Sequence, residues 1–61
     1  MPTFEELREK LQSDNWSERR DAVRALARMA DRRGEVVPLL KERLRVDDDD
    51  DVISACIDFL F

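Results

Sequence analysis

The amino-acid sequence predicts an all-α protein, a right-handed stack of antiparallel helical hairpins with about four helices. Helix-forming residues dominate the chain, which has one glycine and two prolines in 61 residues. One pattern occurs twice, and its equivalent residues are Leu11 and Leu44, Ala22 and Ala55, and Leu26 and Leu60. The spacing is 33 residues from Leu11 to Leu44 and 34 from Leu26 to Leu60. Such a period indicates stacked hairpins, because one hairpin cannot bury its apolar face alone.

The first predicted helix covers about residues 4–12. Thr3 and Glu6 have the spacing of a capping box, which places the start of the helix near Phe4. An apolar stripe follows at helical spacing and consists of Phe4, Leu7 and Leu11.

The second predicted helix covers about residues 16–32 and has the clearest amphipathic pattern. Asn15 and Glu18 form a plausible N-cap pair at its start, and Gly34 is expected to end it as the residue after the C-cap. One face is apolar and comprises Ala22, Val23, Leu26, Met29 and Ala30. The opposite face carries three arginines: Arg20, Arg24 and Arg28.

Two further helices are predicted at about 35–45 and 50–60. Pro38 falls in the first turn of the third helix, where its missing N–H would lack a partner anyway. The run Asp47–Asp51 forms a loop and the first turn of the fourth helix, where carboxylates complement the helix dipole. The segment Val52–Phe61 is apolar nearly all round, so it needs cover on both sides, and its composition also permits a strand.

The small size of the chain favours self-association. We interpret residues 1–61 as one domain, and a domain of this length buries only roughly 60% of its unfolded surface. One cysteine and no histidine exclude an internal disulfide and an ordinary zinc site. We therefore expect a homo-oligomer, or contact with neighbouring repeats, through a seam on the last helix formed by Ile53, Ile57, Phe59 and Phe61.

Enzymatic chemistry is not expected. Without histidine no Ser–His or Cys–His pair can activate a nucleophile, and Cys56 lies in an apolar run typical of an inert core thiol. The aspartates partly match a calcium loop, but Val52 occupies the position where such a loop requires glycine. We predict no cofactor and no specific metal site. We also expect no signal peptide and no membrane span, and the lone cysteine suits the reducing cytoplasm.

Residues 11–60 resemble HEAT repeats, in the short form found in bilin-lyase-type proteins. In that family the first helix of a repeat reads Val-Arg-x-x-Ala-x-x-Ala-Leu, which Glu18–Leu26 matches from its arginine onward. The second helix reads Val-Pro-x-Leu-x-x-x-Leu, and Val37–Leu44 matches it in full. Val52–Leu60 echoes the next first helix, with Ile53 in place of arginine. The signatures of ankyrin and tetratricopeptide repeats, which have similar periods, are missing.

The resemblance implies a HEAT/armadillo-like α-solenoid fragment that acts in protein–protein interaction or as a scaffold. Family repeats are linked by Asp–Arg pairs. Arg19 projects toward the apolar side of its helix, and we predict a structural ion pair with Asp14, Asp31 or one of Asp47–Asp51.

Candidate partner-binding residues are Trp16 and the arginine face: Arg20, Arg24 and Arg28. Two alternatives to a scaffold function remain open. The chain could be an acidic inhibitor or decoy whose run Asp47–Asp51 mimics phosphates to a basic partner, or the arginine face could bind a nucleic-acid backbone. The net charge of −4 disfavours nucleic acid.

Overall fold

The computed structural model describes residues 2–61, which fold into four α-helices without any strand. The helices are α1 (Phe4–Lys10), α2 (Trp16–Ala27), α3 (Arg33–Val46) and α4 (Asp50–Leu60), and a 3₁₀ turn, Ala30–Arg32, precedes α3. The all-α prediction is confirmed, and the alternative of a strand in the last segment is wrong. That segment is helical because its first turn is capped and its apolar residues repeat at helical spacing.

Three polar side chains cap the helices at their N-termini. The Thr3 hydroxyl accepts a hydrogen bond from the Glu6 N–H at 3.2 Å. The Asn15 side-chain oxygen accepts one from the Ser17 N–H at 2.9 Å. Asp49 does the same for α4, accepting from the N–H groups of Asp51 at 2.9 Å and Val52 at 3.2 Å. Each cap satisfies first-turn donors that have no partner within the helix.

Helix α2 is shorter than the sequence predicts, and Gly34 does not end it. The helix stops at Ala27, with Arg28 as its C-cap, and Met29 leaves the helical region with φ −85° and ψ 74°. Met29 still packs against the core, but from the turn rather than from the helix. No residue of the described chain has a positive φ, so the turn needs no left-handed glycine. Gly34 instead becomes the second residue of α3.

Helix α3 consequently begins before the predicted residue 35 and includes Pro38 beyond its first turn. Pro38 is the sixth residue of α3, so it removes the N–H that would bond to the carbonyl of Gly34 four residues earlier. The predicted first-turn position of Pro38 is therefore wrong. The helix continues through it because Val36 and Leu40 on either side are fully buried and hold the segment against the core.

Helix α2 lies at the centre of the molecule. It packs against α4 and α1, and α3 packs mainly against α4. The core draws residues from every helix: Phe4, Leu7, Leu11, Ala22, Val23, Leu26, Val36, Leu40, Val52, Ala55 and Cys56. The Cα extents of 28 × 24 × 14 Å describe a flat slab, whose thin dimension suits two layers of helices that pack 8–10 Å apart. The two hairpins thus form a short stack.

Replacing Gly34 with alanine tests the corrected end of α2. A Cβ at Gly34 would meet nothing within 4 Å, and the backbone is helical, so Gly34→Ala should stabilise the fold by about 0.5 kcal/mol. Urea unfolding followed by circular dichroism measures the change. A loss of stability would contradict the structure. It would instead support the prediction from the sequence that Gly34 ends α2 as the residue after its C-cap.

Candidate functional site

The side chain of Asp47 organises the loop between α3 and α4. The backbone becomes extended at this residue, with φ −78° and ψ 143°, and ends α3. One carboxylate oxygen of Asp47 accepts a hydrogen bond from the Asp49 N–H at 2.9 Å, which folds the loop back over the side chain. The local sequence therefore turns the carboxylate inward, where only 1% of the side chain is exposed.

Two arginines from different helices meet the buried carboxylate. Arg19 on α2 donates from Nε to Asp47 Oδ2 at 2.8 Å and from Nη2 to Oδ1 at 3.3 Å. Arg43 on α3 places its Nε 3.0 Å from the same Oδ2, a charge contact without the angle of a hydrogen bond. The structure thus places Arg19 in an ion pair with Asp47, one of the candidate partners that the sequence suggested.

The same two arginines also bind the loop between α1 and α2. Arg19 Nη1 donates to the Ser13 carbonyl oxygen at 2.8 Å, and Arg43 Nη1 donates to the Leu11 carbonyl oxygen at 2.6 Å. Asp47 therefore connects the two interhelix loops through the guanidinium groups. We refer to Asp47, Arg19 and Arg43 as the ionic cluster.

The surroundings of Asp47 have opposing effects on its pKa. Burial raises the pKa of the carboxyl, but the hydrogen bonds from the Asp49 N–H and Arg19, with the charges of Arg19 and Arg43, outweigh burial and hold the pKa below its ordinary value of 3.8. The group is therefore ionised in the folded protein at neutral pH, as a buried carboxylate facing two guanidinium groups must be.

Sequence reasoning missed Arg43. A signal was available, because Arg43 precedes Asp47 by four residues and such pairs meet on one helix face. The inward direction of the pair could not be predicted, because it depends on where α3 lies relative to the first loop.

The ionic cluster and the cap of α4 each engage one aspartate of the predicted acidic surface. Asp47 is buried and Asp49 caps α4, which leaves Asp48, Asp50 and Asp51 exposed. The phosphate-mimic hypothesis therefore has three of its five carboxylates available.

In residues 2–61 no group of three or more His, Cys, Asp or Glu side chains is arranged to hold a metal ion.

Cys56 lies on the buried face of α4. It is a free, fully buried thiol, and burial raises its pKa to about 11. A thiol in this state is protonated at neutral pH and is a poor nucleophile.

The three arginines of the predicted face lie in two different environments. The Arg20 guanidinium lies over the Trp16 ring, 5.1 Å from its centroid, and also contacts Asp21 at 3.2 Å. Trp16 is exposed beside it. The Arg20 guanidinium therefore already has interaction partners on α2. Arg24 and Arg28 lie toward the C-terminal end of the helix.

Arg24 and Arg28 line a groove of about 420 Å³ between α2 and α4. Its other lining residues are Ala27, Arg33, Ala55, Asp58 and Phe59. The Arg33 guanidinium lies 4.8 Å from the centroid of the Phe59 ring, which forms part of the apolar wall. We call this feature the α2–α4 groove. The sequence could not reveal it, because its two sides become neighbours only when α2 packs on α4.

The predicted self-association residues of α4 do not all share one face. Ile53, Ile57 and Phe61 are spaced by four residues and form a stripe along the helix. Ile57 is 43% exposed and Phe61 93% exposed, while Ile53 is partly buried. Phe59 points elsewhere, since it packs against the core and lines the α2–α4 groove. We call Ile53, Ile57 and Phe61 the α4 stripe.

The helical hairpins and the Asp–Arg link between their loops are features that the resemblance to HEAT repeats implied. The family profile described as HEAT repeats matches residues 2–60. The chain belongs to the HEAT repeat family. Repeats of this family are typically non-enzymatic scaffold modules that serve in protein interaction. No curated protein and no solved structure matches the chain significantly.

None of the helices in residues 2–61 has the length and apolar character needed to cross a membrane.

Removing the charge of Asp47 should destabilise the fold. Asp47→Asn takes the buried counter-charge away from two partly buried guanidinium groups, and we expect a loss of about 3 kcal/mol in the free energy of unfolding. Asp48→Asn is the matched control, because the Asp48 side chain is 98% exposed and its contact with Arg19 is 3.7 Å long. Chemical denaturation compares the two, and equal effects would contradict a central role for Asp47.

The ionic cluster should also make stability depend on pH in the acid range. Because folding lowers the pKa of Asp47, its contribution is present above the ordinary value of 3.8 and is lost as pH falls below it through the folded-state pKa. The difference in unfolding free energy between the wild type and Asp47→Asn should therefore keep its full size from neutrality down to the ordinary pKa of 3.8 and shrink as the pH falls below that value. Urea titrations over an acid pH series measure it, and a constant difference would refute the assignment.

Proposed function

We propose that this chain is a non-enzymatic protein-binding module that associates with a second copy or a neighbouring repeat through the α4 stripe. The observation that carries the proposal is an apolar stripe that α4 leaves exposed. In the repeat alignment that pairs Ala22 with Ala55, Ile57 of α4 corresponds to Arg24 of α2. Arg24 is an exposed charged residue, whereas Ile57 is an apolar residue that is 43% exposed.

The exposed stripe is large enough to matter energetically. Fully burying one large apolar side chain contributes about 1.5–3 kcal/mol. Phe61, which is 93% exposed, offers most of such a contribution, and Ile57, which is 43% exposed, offers a smaller part. Ile53 extends the stripe toward the N-terminus of α4. A contact on this face would bury the exposed apolar surface of α4, and repeat proteins bury their apolar surface through such contacts with neighbouring repeats.

The absence of enzymatic activity is proposed from the state of the reactive groups. The sequence has no histidine. The Cys56 thiol is buried with its pKa raised to about 11, and Asp47 is held ionised between two guanidinium groups. Neither group is available to a substrate as a nucleophile or a general base. We also propose a cytoplasmic location, where a thiol such as Cys56 remains reduced.

Light scattering over a range of concentrations tests the role of the α4 stripe. We expect a species larger than the monomer, and Ile57→Gln should weaken the association by roughly tenfold or more, because the buried side chain is replaced by a polar one. Val46→Gln is the matched control, since Val46 is also an exposed aliphatic residue but lies on α3. A monomer at every concentration, or equal effects of both variants, would contradict self-association through this face.

A further inference from the structure

We propose that the α2–α4 groove binds an acidic peptide segment that carries at least one apolar side chain. The inference concerns a different surface from the α4 stripe and depends on the proposed function only in treating the chain as a protein-binding module. Three arginines and one aspartate line the groove, a formal charge of +3 − 1 = +2. The whole chain, in contrast, has a net charge of −4.

The three groove arginines have no ion-pair partner in residues 2–61. Four other arginines that are wholly or partly exposed each contact a nearby carboxylate within 4.0 Å: Arg8 with Glu5, Arg20 with Asp21, Arg32 with Glu35, and Arg45 with Glu42. Arg24, Arg28 and Arg33 have no carboxylate within that distance, although Asp58 lines the same groove. The unpaired arginines of the described residues are thus concentrated in one place, in a chain with an excess of carboxylates.

The position of Arg33 is not explained by helix stability. Cations near the C-terminus of a helix are favourable, which accounts for Arg24 and Arg28 at the end of α2. Arg33 is the first residue of α3, where a positive charge opposes the helix dipole. Its guanidinium instead lies over Phe59 at the groove, 4.8 Å from the ring centroid. A cation–π contact leaves N–H donors of the guanidinium available to a carboxylate.

The apolar wall favours a peptide over a nucleic acid. Ala27, Ala55 and Phe59 line the groove between the arginines and offer a surface for an aliphatic or aromatic side chain. A phosphate backbone would gain nothing from that wall. It would also meet Asp58 within the groove and the repulsion of a net negative chain. Carboxylates spaced along a peptide can contact the arginines while a neighbouring side chain contacts Phe59.

Fluorescence anisotropy with three labelled, capped peptides tests the proposal. The first consists of glutamates around a central phenylalanine and leucine, the second has glutamine for every glutamate, and the third has serine for the apolar residues. We expect saturable binding of the first peptide below about 1 mM, and much weaker binding of the other two. No binding of the first peptide, or equal binding of the glutamine peptide, overturns the proposal.

Charge variants locate the site. Arg24→Glu with Arg28→Glu should weaken binding roughly tenfold or more, because two attractive contacts become repulsive. The double variant Arg8→Glu with Arg45→Glu makes the same change in net charge outside the groove and should change the affinity by no more than about twofold at physiological salt. Asp58→Asn removes the one carboxylate of the groove and should tighten binding. Equal effects of the two double variants would overturn the assignment.

A second measurement does not depend on how the variants fold. Peptide-induced shifts in the amide spectrum of the wild-type chain should map to the C-terminal half of α2 and to α4, and shifts confined to α1 would overturn the proposal. Labelled single-stranded and duplex DNA form the competing arm. Binding of DNA that depends on Arg24 and Arg28, without binding of the acidic peptide, would assign the groove to nucleic acid. None of these outcomes bears on the light-scattering test of the α4 stripe, so the two proposals can fail separately.

Discussion

The arrangement of the two hairpins depends on one buried carboxylate. Asp47 receives Arg19 from α2 and Arg43 from α3, and the same arginines bind carbonyl oxygens in the loop before α2. A stretch of 61 residues without a disulfide has few other ways to fix one loop against another. A buried ion pair adds little net stability compared with an apolar contact of the same shape, because its desolvation is costly. The ion pair instead selects one arrangement of the two hairpins, because any other arrangement leaves a buried charge without its partner.

The position of the ionic cluster also sets the direction of α2 and α4. Arg19 lies near the start of α2, and Asp47 shortly precedes the start of α4, so the two N-termini are held at the same end of the slab. The helices therefore run in the same direction, and their C-terminal halves meet at the α2–α4 groove. The exposed aspartates in the first turn of α4, Asp50 and Asp51, and the groove arginines consequently lie at opposite ends of the helices. One ionic contact thus separates the charge of the molecule into an acidic end and a basic groove.

The sequence predicted what depends on local pattern. The caps at Thr3 and Asn15 and the four helical segments follow from short-range spacing, which survives in any fold that buries the apolar stripes. Gly34 was misassigned because a glycine after two arginines is a typical helix end, whereas the actual end is set by the packing of Met29 from the turn. The groove and the role of Arg43 escaped prediction for one shared reason. In each case the residues in contact are far apart in the sequence, and their contact depends on how whole helices pack.

The two proposed surfaces lie on roughly opposite sides of α4, which has a physical consequence. At 100° per residue, Ile53, Ile57 and Phe61 form one stripe, whereas Ala55 and Phe59 point away from it toward the groove. A partner that covers the stripe therefore leaves the groove open. Both surfaces nevertheless belong to a single helix, which is anchored by the Asp49 cap and by the loop that Asp47 holds. Loss of the ionic cluster would free the start of α4 and so disturb both surfaces together, whereas a change in either surface would leave the other in place.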